Sequence, residues 1–203
     1  MNHSNVAVMK SIMVVWTFIF TVSANAQELI RKYENKVNDA IYTIDVDQTT
    51  GLIYVGGDFT RAGNFGQYGA LLDPMTGLVT EGFPRIDGDV LTSISDGAGG
   101  YFIGGNFTAV GDTIRKNIAH ININGTVTSF GKDLNINGPV HTLALSAATL
   151  YVGGSFTSVN DSYSDSGGAC INLGDGLPKL NFQKVNGTVE IAIPDGDGGY
   201  YLG

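Results

Sequence analysis

The feature that most constrains this chain is a phrase it repeats. Residues 52–60 read LIYVGGDFT, residues 101–108 read YFIGGNFT, residues 150–157 read LYVGGSFT, and residues 198–203 read GGYYLG. The glycine opening each doublet is Gly56, Gly104, Gly153 and Gly203, at spacings of 48, 49 and 50. Other markers keep the same period. Asn38, Asp87, Asn137 and Asn186 recur at 49, 50 and 49, as do Ile41, Val90, Val140 and Val189, and Ala70, Ala119 and Ala169 recur at 49 and 50. Several markers in phase at a period of about 50 residues describe one supersecondary unit copied and stacked, each copy burying the apolar face of its neighbour.

Within a unit the pattern is that of short strands. In residues 38–84, AIYTIDVD is apolar and β-branched, QTTG turns, LIYVGGDF is a second strand, YGALLD a third, PMTG turns, and LVTEGF is a fourth. The second unit runs DVLTSIS, YFIGGNF, NIAHIN, TVTSF, and the third VHTLALS, LYVGGSF, GGACINL, LPKLNF. Val, Ile, Tyr, Phe and Thr dominate the strands, and Gly, Asp and Asn the breaks between them. Asp87-Gly88, Asn124-Gly125, Asn137-Gly138, Asp175-Gly176 and Asn186-Gly187 suit tight turns between antiparallel strands. No segment after residue 40 carries a helical period.

Four strands in a unit of about 50 residues is the grammar of a β-propeller blade. The doublet then ends the second strand where blades converge and the backbone needs room or positive φ. Phe59, Phe107 and Phe156 after the doublet, and Phe83, Phe130 and Phe182 late in each unit, are expected to fill the wedges between blades. A phosphate-cradling glycine loop is excluded, because no helix start and no Lys follow the glycines.

The strand ending in Gly-Gly, followed by ALLDPMTG, AHININGT or ACINLGDG, resembles kelch-type blades. It is more closely similar to the bacterial delta-60 repeat, over about residues 38–203. The resemblance implies a propeller fold and leaves function open. Two departures stand out: Phe replaces the kelch Trp of the last strand, and the family's Arg in the third strand is absent.

The N-terminus reads as a secretory signal peptide over residues 1–26: Lys10, an apolar run from Ile12 to Val22, then SANA before Gln27. The run falls short of the roughly 20 residues a membrane span needs. Residues 27–37 resemble the unit end at 177–187 and are expected to form a strand completing a blade, with a short amphipathic helix as the other reading. Repeats follow at 38–87, 88–137 and 138–186, with a truncated fourth at 187–203. The expectation is an all-β chain of propeller-type blades, each of four antiparallel strands, forming an incomplete ring of about three and a quarter repeats of about 49 residues. The count reads as a fragment of a longer protein, with an open three-bladed stack or a ring completed by another chain as the alternatives.

The net charge of −8, or −9 once residues 1–26 are set aside, disfavours nucleic acid and anionic membrane surfaces. With 43% of residues apolar, the chain is a folded one. Its single cysteine, Cys170, lies in the apolar run GGACINL and reads as a buried, inert thiol. His120 and His141 sit on strands in no metal-ligand spacing, and read as structural or exposed. DGAGG at 96–100 and DGDGG at 195–199 suit turns better than a calcium loop, lacking the bidentate Glu of such a loop. The residues therefore point to no catalytic, cofactor or metal site. The reading is a secreted, non-catalytic propeller scaffold that binds a protein or carbohydrate at the cell surface, with the long loop at 158–168 as its specificity element. The other reading is the N-terminal part of an extracellular hydrolase or lyase whose catalytic residues lie largely elsewhere.

Overall fold

The computed structural model describes residues 37–62, 67–161, 167–179, 185–197 and 199–203. The expected signal peptide, most of the 27–37 strand, Phe182 and the middle of the 158–168 loop lie outside them. The described residues are all β, without a helix, in small antiparallel sheets. The first sheet is β1 (Ile41–Val46), β2 (Ile53–Gly57) and β3 (Gly69–Leu72), paired in that order. The second is β4 (Asp89–Ser95), β5 (Tyr101–Asn106) and β8 (Ile118–Ile121), with a side hairpin of β6 (Ala109–Val110) and β7 (Thr113–Ile114). The third is β9 (Val140–Ser146), β10 (Thr149–Gly154) and β11 (Gly168–Asn172). The pair β12 (Ala192–Pro194) and β13 (Tyr200–Leu202) follows.

Among the described residues the expected fourth strand is reduced to a single bridge per unit, Leu72 to Val79, Ile121 to Val127 and Ile171 to Pro178. In the first unit Gly82, at a φ of 87°, turns the segment away after that bridge. The connection TAVGDTIRK between β5 and β8 contains the β6–β7 hairpin.

The second strands explain how the units stack. Side chains alternate across a strand. On β5, Tyr101 and Ile103 join a buried cluster with Tyr54 and Val90, toward the first sheet. Phe102 joins another with Leu150 and Val152, toward the third. On β10, Tyr151 turns the other way, to Cys170, Val189 and Ala192. Phe107 and Phe156 lie in the first and second of these seams, as the wedge reading requires. Phe83 and Phe130 enter the same two seams from the late part of the preceding unit, Phe83 at 5.5 Å from Tyr54 and Phe130 at 5.0 Å from Phe102. Tyr54, Phe102 and Tyr151 are 0%, 5% and 0% exposed, whereas Tyr201 at the equivalent position is 70% exposed, because β12–β13 carries no described sheet on its far side. Cys170 is buried and free, and burial pushes its thiol up to about 11, as expected of an inert thiol.

The doublets need room and not positive φ; none of these glycines has a positive φ. A Cβ on the first glycine would meet the opening valine of the next unit: Val90 at 2.7 Å from Gly56, Val140 at 2.5 Å from Gly104, Val189 at 2.9 Å from Gly153. A Cβ on the second would strike the backbone carbonyl of its own unit at Ala40, Asp89 or Pro139. Each first strand bulges opposite the doublet, the pairing skipping Tyr42, Leu91 and His141. The marker Asn/Asp residues clamp the loop after the doublet. Asp87 accepts from the Thr108 and Ala109 N–H groups at 2.8 Å each, and Asn137 accepts from those of Thr157 and Ser158 at 2.8 and 2.9 Å. Asn38 and Asn137 also donate to the Thr60 and Thr157 hydroxyls, each at 2.9 Å, and the Thr108 hydroxyl donates to Asp87. This is why Thr ends the repeated phrase. It also means that Asp87-Gly88 and Asn137-Gly138 are not tight hairpin turns: neither glycine has positive φ, unlike Gly125, Gly176 and Gly187.

Asp47 ties the first two units. Its carboxylate is fully buried at the β1–β2 turn. The N–H groups of Thr49 and Thr50 and the Thr50 hydroxyl donate to Oδ1 at 3.1, 2.7 and 2.8 Å. From the next unit, the Ser95 hydroxyl and the Gly99 N–H donate to Oδ2 at 2.6 and 3.1 Å. Burial alone would raise this carboxyl; the hydrogen bonds from Ser95, Thr50 and Gly99 outweigh it and hold it down at about 2.

Two outcomes follow from these seams. Gly104→Ala should destabilise by about 1–3 kcal/mol in urea unfolding, because stiff β-branched side chains of Val140 and Thr92 flank the new methyl. Combined with Val140→Ala, which vacates that space, it should cost less than the two single changes added together. The folded pKa of Asp47 lies below its ordinary 3.8. Its contribution, on the order of 2 kcal/mol, is therefore fully present above about pH 4 and lost as pH falls through 2. Unfolding free energies between pH 5 and pH 2 should fall less steeply for Asp47→Asn than for the wild type.

Candidate functional site

The turn end of the second and third sheets encloses a groove of about 310 Å³. Its floor is Phe102 and Phe130, set edge to face, with the His120 ring stacked on Phe102 at 4.3 Å. Its rim carries Ser129, Lys132, Asp133 and Asp175. Phe102 and His120 come from β5 and β8, Phe130 and one wall from the chain after Val127, and the other wall from the turn Leu173–Gly176 that follows β11.

His120 has a built environment. Its Nε2 lies 2.9 Å from Asp96 Oδ2 and its Nδ1 lies 3.2 Å from the Thr128 hydroxyl. Asp96 is held in turn, its Oδ1 accepting from the Ala98 and Gly100 N–H groups at 2.7 and 2.9 Å. Asp96 in DGAGG therefore serves the turn and the histidine. Asp195 in DGDGG accepts from the Asp197 and Gly199 N–H groups in the same manner, at 2.8 Å each. Turn chemistry is what the sequence favoured for both loops. Among the described residues no three His, Cys, Asp or Glu side chains come together as a metal would require.

The groove wall is fixed from behind by Arg115. This side chain is almost fully buried and donates to three carbonyl oxygens: Nε to Phe130 at 3.0 Å, Nη1 to Ile114 at 2.7 Å and Nη2 to Thr128 at 2.5 Å. Burial lowers its pKa, and the nearby Asp133 carboxylate opposes that. The planar fork suits three carbonyls converging from different directions.

The other end of the strands carries the second histidine. His141 is the bulged residue of β9, with Glu190 at 2.6 Å on Nδ1 and the Ser155 hydroxyl at 3.3 Å on Nε2. Both histidines thus have carboxylate partners that spacing did not reveal, because each partner lies 24 or 49 residues away. At this end Asp89 also faces Asp58; burial, then the Asp58 charge, raises its carboxyl. Among the described residues no helix is long and apolar enough to cross a membrane.

Comparison with protein-family models and with curated proteins returned no match.

Arg115→Ala should lose about 2–4 kcal/mol of stability, since it leaves carbonyls without their charged donor. Arg115→Lys should recover only part of that loss. Amide exchange should quicken at Thr128 and Phe130 in both variants, and a uniform change over all units would instead mean that Arg115 does not fix this wall.

Proposed function

We propose that the protein is a secreted, propeller-type scaffold that binds carbohydrate at the cell surface through the groove of Phe102, His120 and Phe130. The single observation that carries this reading is the groove itself: open, aromatic at its floor and of mixed charge at its rim. Sugars present apolar ring faces and hydroxyl edges, which match aromatic floors and polar rims respectively. The order of packing supports the ring: β1, β4, β9 and β12, the first strands of their units, neighbour one another across successive seams, as inner strands of blades do. The acidic balance of the chain agrees with a neutral or cationic ligand better than with a phosphate-rich one. Secretion rests on residues 1–26 alone.

The test is a glycan array followed by calorimetric titration of the best oligosaccharide. Lys132→Ala and Asp175→Ala, both on the rim, are expected to weaken binding about tenfold each with an unchanged unfolding midpoint. Absence of oligosaccharide binding, or equal affinity in both variants, would refute the carbohydrate reading, and capture of a protein ligand at the same rim would replace it.

A further inference from the structure

The repeat provides its own control for function. Residues shared by all units hold the array together, so positions that differ from unit to unit are the ones left for chemistry. The bulged position reads Tyr42, Leu91 and His141, with Glu190 at the equivalent place in the fourth unit. The residue after the doublet reads Asp58, Asn106 and Ser155. Bulges re-aim a side chain that a regular strand would direct elsewhere. Among the described residues, only the seam between the third and fourth units brings a hydroxyl, an imidazole and a carboxylate together at these positions.

Their connectivity is ordered. The Ser155 hydroxyl lies 3.3 Å from His141 Nε2, and Glu190 Oε2 lies 2.6 Å from His141 Nδ1. A carboxylate on Nδ1 holds the proton there and leaves the Nε2 lone pair facing the hydroxyl. Three separate chain segments bring the set together at the surface. Ser155 N–H donates to Pro139 O at 3.1 Å, His141 sits on the β9 bulge with its side chain 23% exposed, and Glu190 N–H donates to Gly203 O at 2.9 Å beside the buried Val189. A serine–imidazole distance slightly beyond an ideal hydrogen bond is usual before substrate binds.

We propose that Ser155, His141 and Glu190 form an acyl-transfer site acting on esters of small acyl groups. Ser155 Oγ attacks the ester carbonyl carbon, and its proton passes to His141 Nε2. The bond to the alcohol oxygen breaks, and the alcohol leaves with that proton. Water then attacks the acyl-serine, giving its proton to Nε2, and Ser155 is released with a proton regained as the carboxylic acid departs. Glu190 is a positioning residue, stabilising the imidazolium. The open setting, with Ser155 exposed at the strand ends, suits a small acyl substituent, such as acetyl, carried on a large alcohol that need not be enclosed. The site stands independently of the groove, which lies at the opposite end of the strands.

The test is labelling with a fluorophosphonate probe, read by intact mass and peptide mapping, together with hydrolysis of p-nitrophenyl acetate. The wild type should take one adduct, on Ser155, with loss of fluoride. His141→Ala should abolish it. Glu190→Gln should slow labelling and lower kcat by about tenfold or more with KM little changed, and Glu190→Asp should restore part of the rate. Met75→Ala, at an exposed turn of the first unit, should label like the wild type, and the oligosaccharide titration reads the groove separately, so the failure of one site leaves the other standing. Absence of an adduct on Ser155 in the folded wild type, or an adduct forming equally fast in His141→Ala, would overturn the proposal.

Discussion

The array depends on one contact made three times: the valine that opens each unit lies directly on the first glycine of the preceding doublet. Nothing larger than hydrogen fits there. This contact sets how closely successive sheets approach, and the aromatic wedges fill what remains of each seam. The second glycine answers a different demand, because its own first strand bulges toward it and brings a carbonyl where a Cβ would be. The Asn/Asp clamp on the Phe-Thr loop then returns the chain over the seam. Each element of the repeated phrase thus has a separate mechanical reason, and the phrase survives copying because all of them act at one joint.

Much of this was legible in the residues. A period of about 49, strands rich in Val, Ile and Tyr, and phenylalanines at fixed places were enough for an all-β array with aromatic wedges. Cys170 read correctly because an apolar run around a lone thiol is a packing signal. Other features were hidden for physical reasons. The doublet suggested a need for room or for positive φ; room is the answer, and what hid it was that the first glycine's neighbour lies some 34 to 36 positions downstream, as from Gly56 to Val90. The fourth strands carry strand-forming residues, but among the described residues each makes a single bridge, and Gly82 turns the first of them away. The partners of His120 and His141 lie on other strands, and a bulge shifts facing residues by one, so no spacing rule would have joined His141 to Glu190.

The two candidate sites follow one logic at opposite ends of the sheets. At the turn end, the position of Asp47 is occupied in the second unit by Asp96. Asp47 is spent on the seam, where five donors hold it ionised. Asp96 serves its own turn with one oxygen and gives the other to His120, at the edge of the groove. The same residue at the same place is structural in one unit and available in the next. At the doublet end, Asp58, Asn106 and Ser155 repeat the lesson with different side chains.

The alternation along β5 has a wider consequence. Tyr101 and Ile103 belong to one seam and Phe102 to the other, so the second sheet shares its interior with both of its neighbours. Inserting or deleting a single residue in a second strand would exchange the occupants of two seams at once, and neither would then close on its glycine. Gain or loss of an entire unit leaves every joint as it was. Such a chain resists small edits in its strands and tolerates large ones between them, so its lineage is expected to change in length by whole copies while diversifying at the bulge and the loop, the places where no neighbour dictates the side chain.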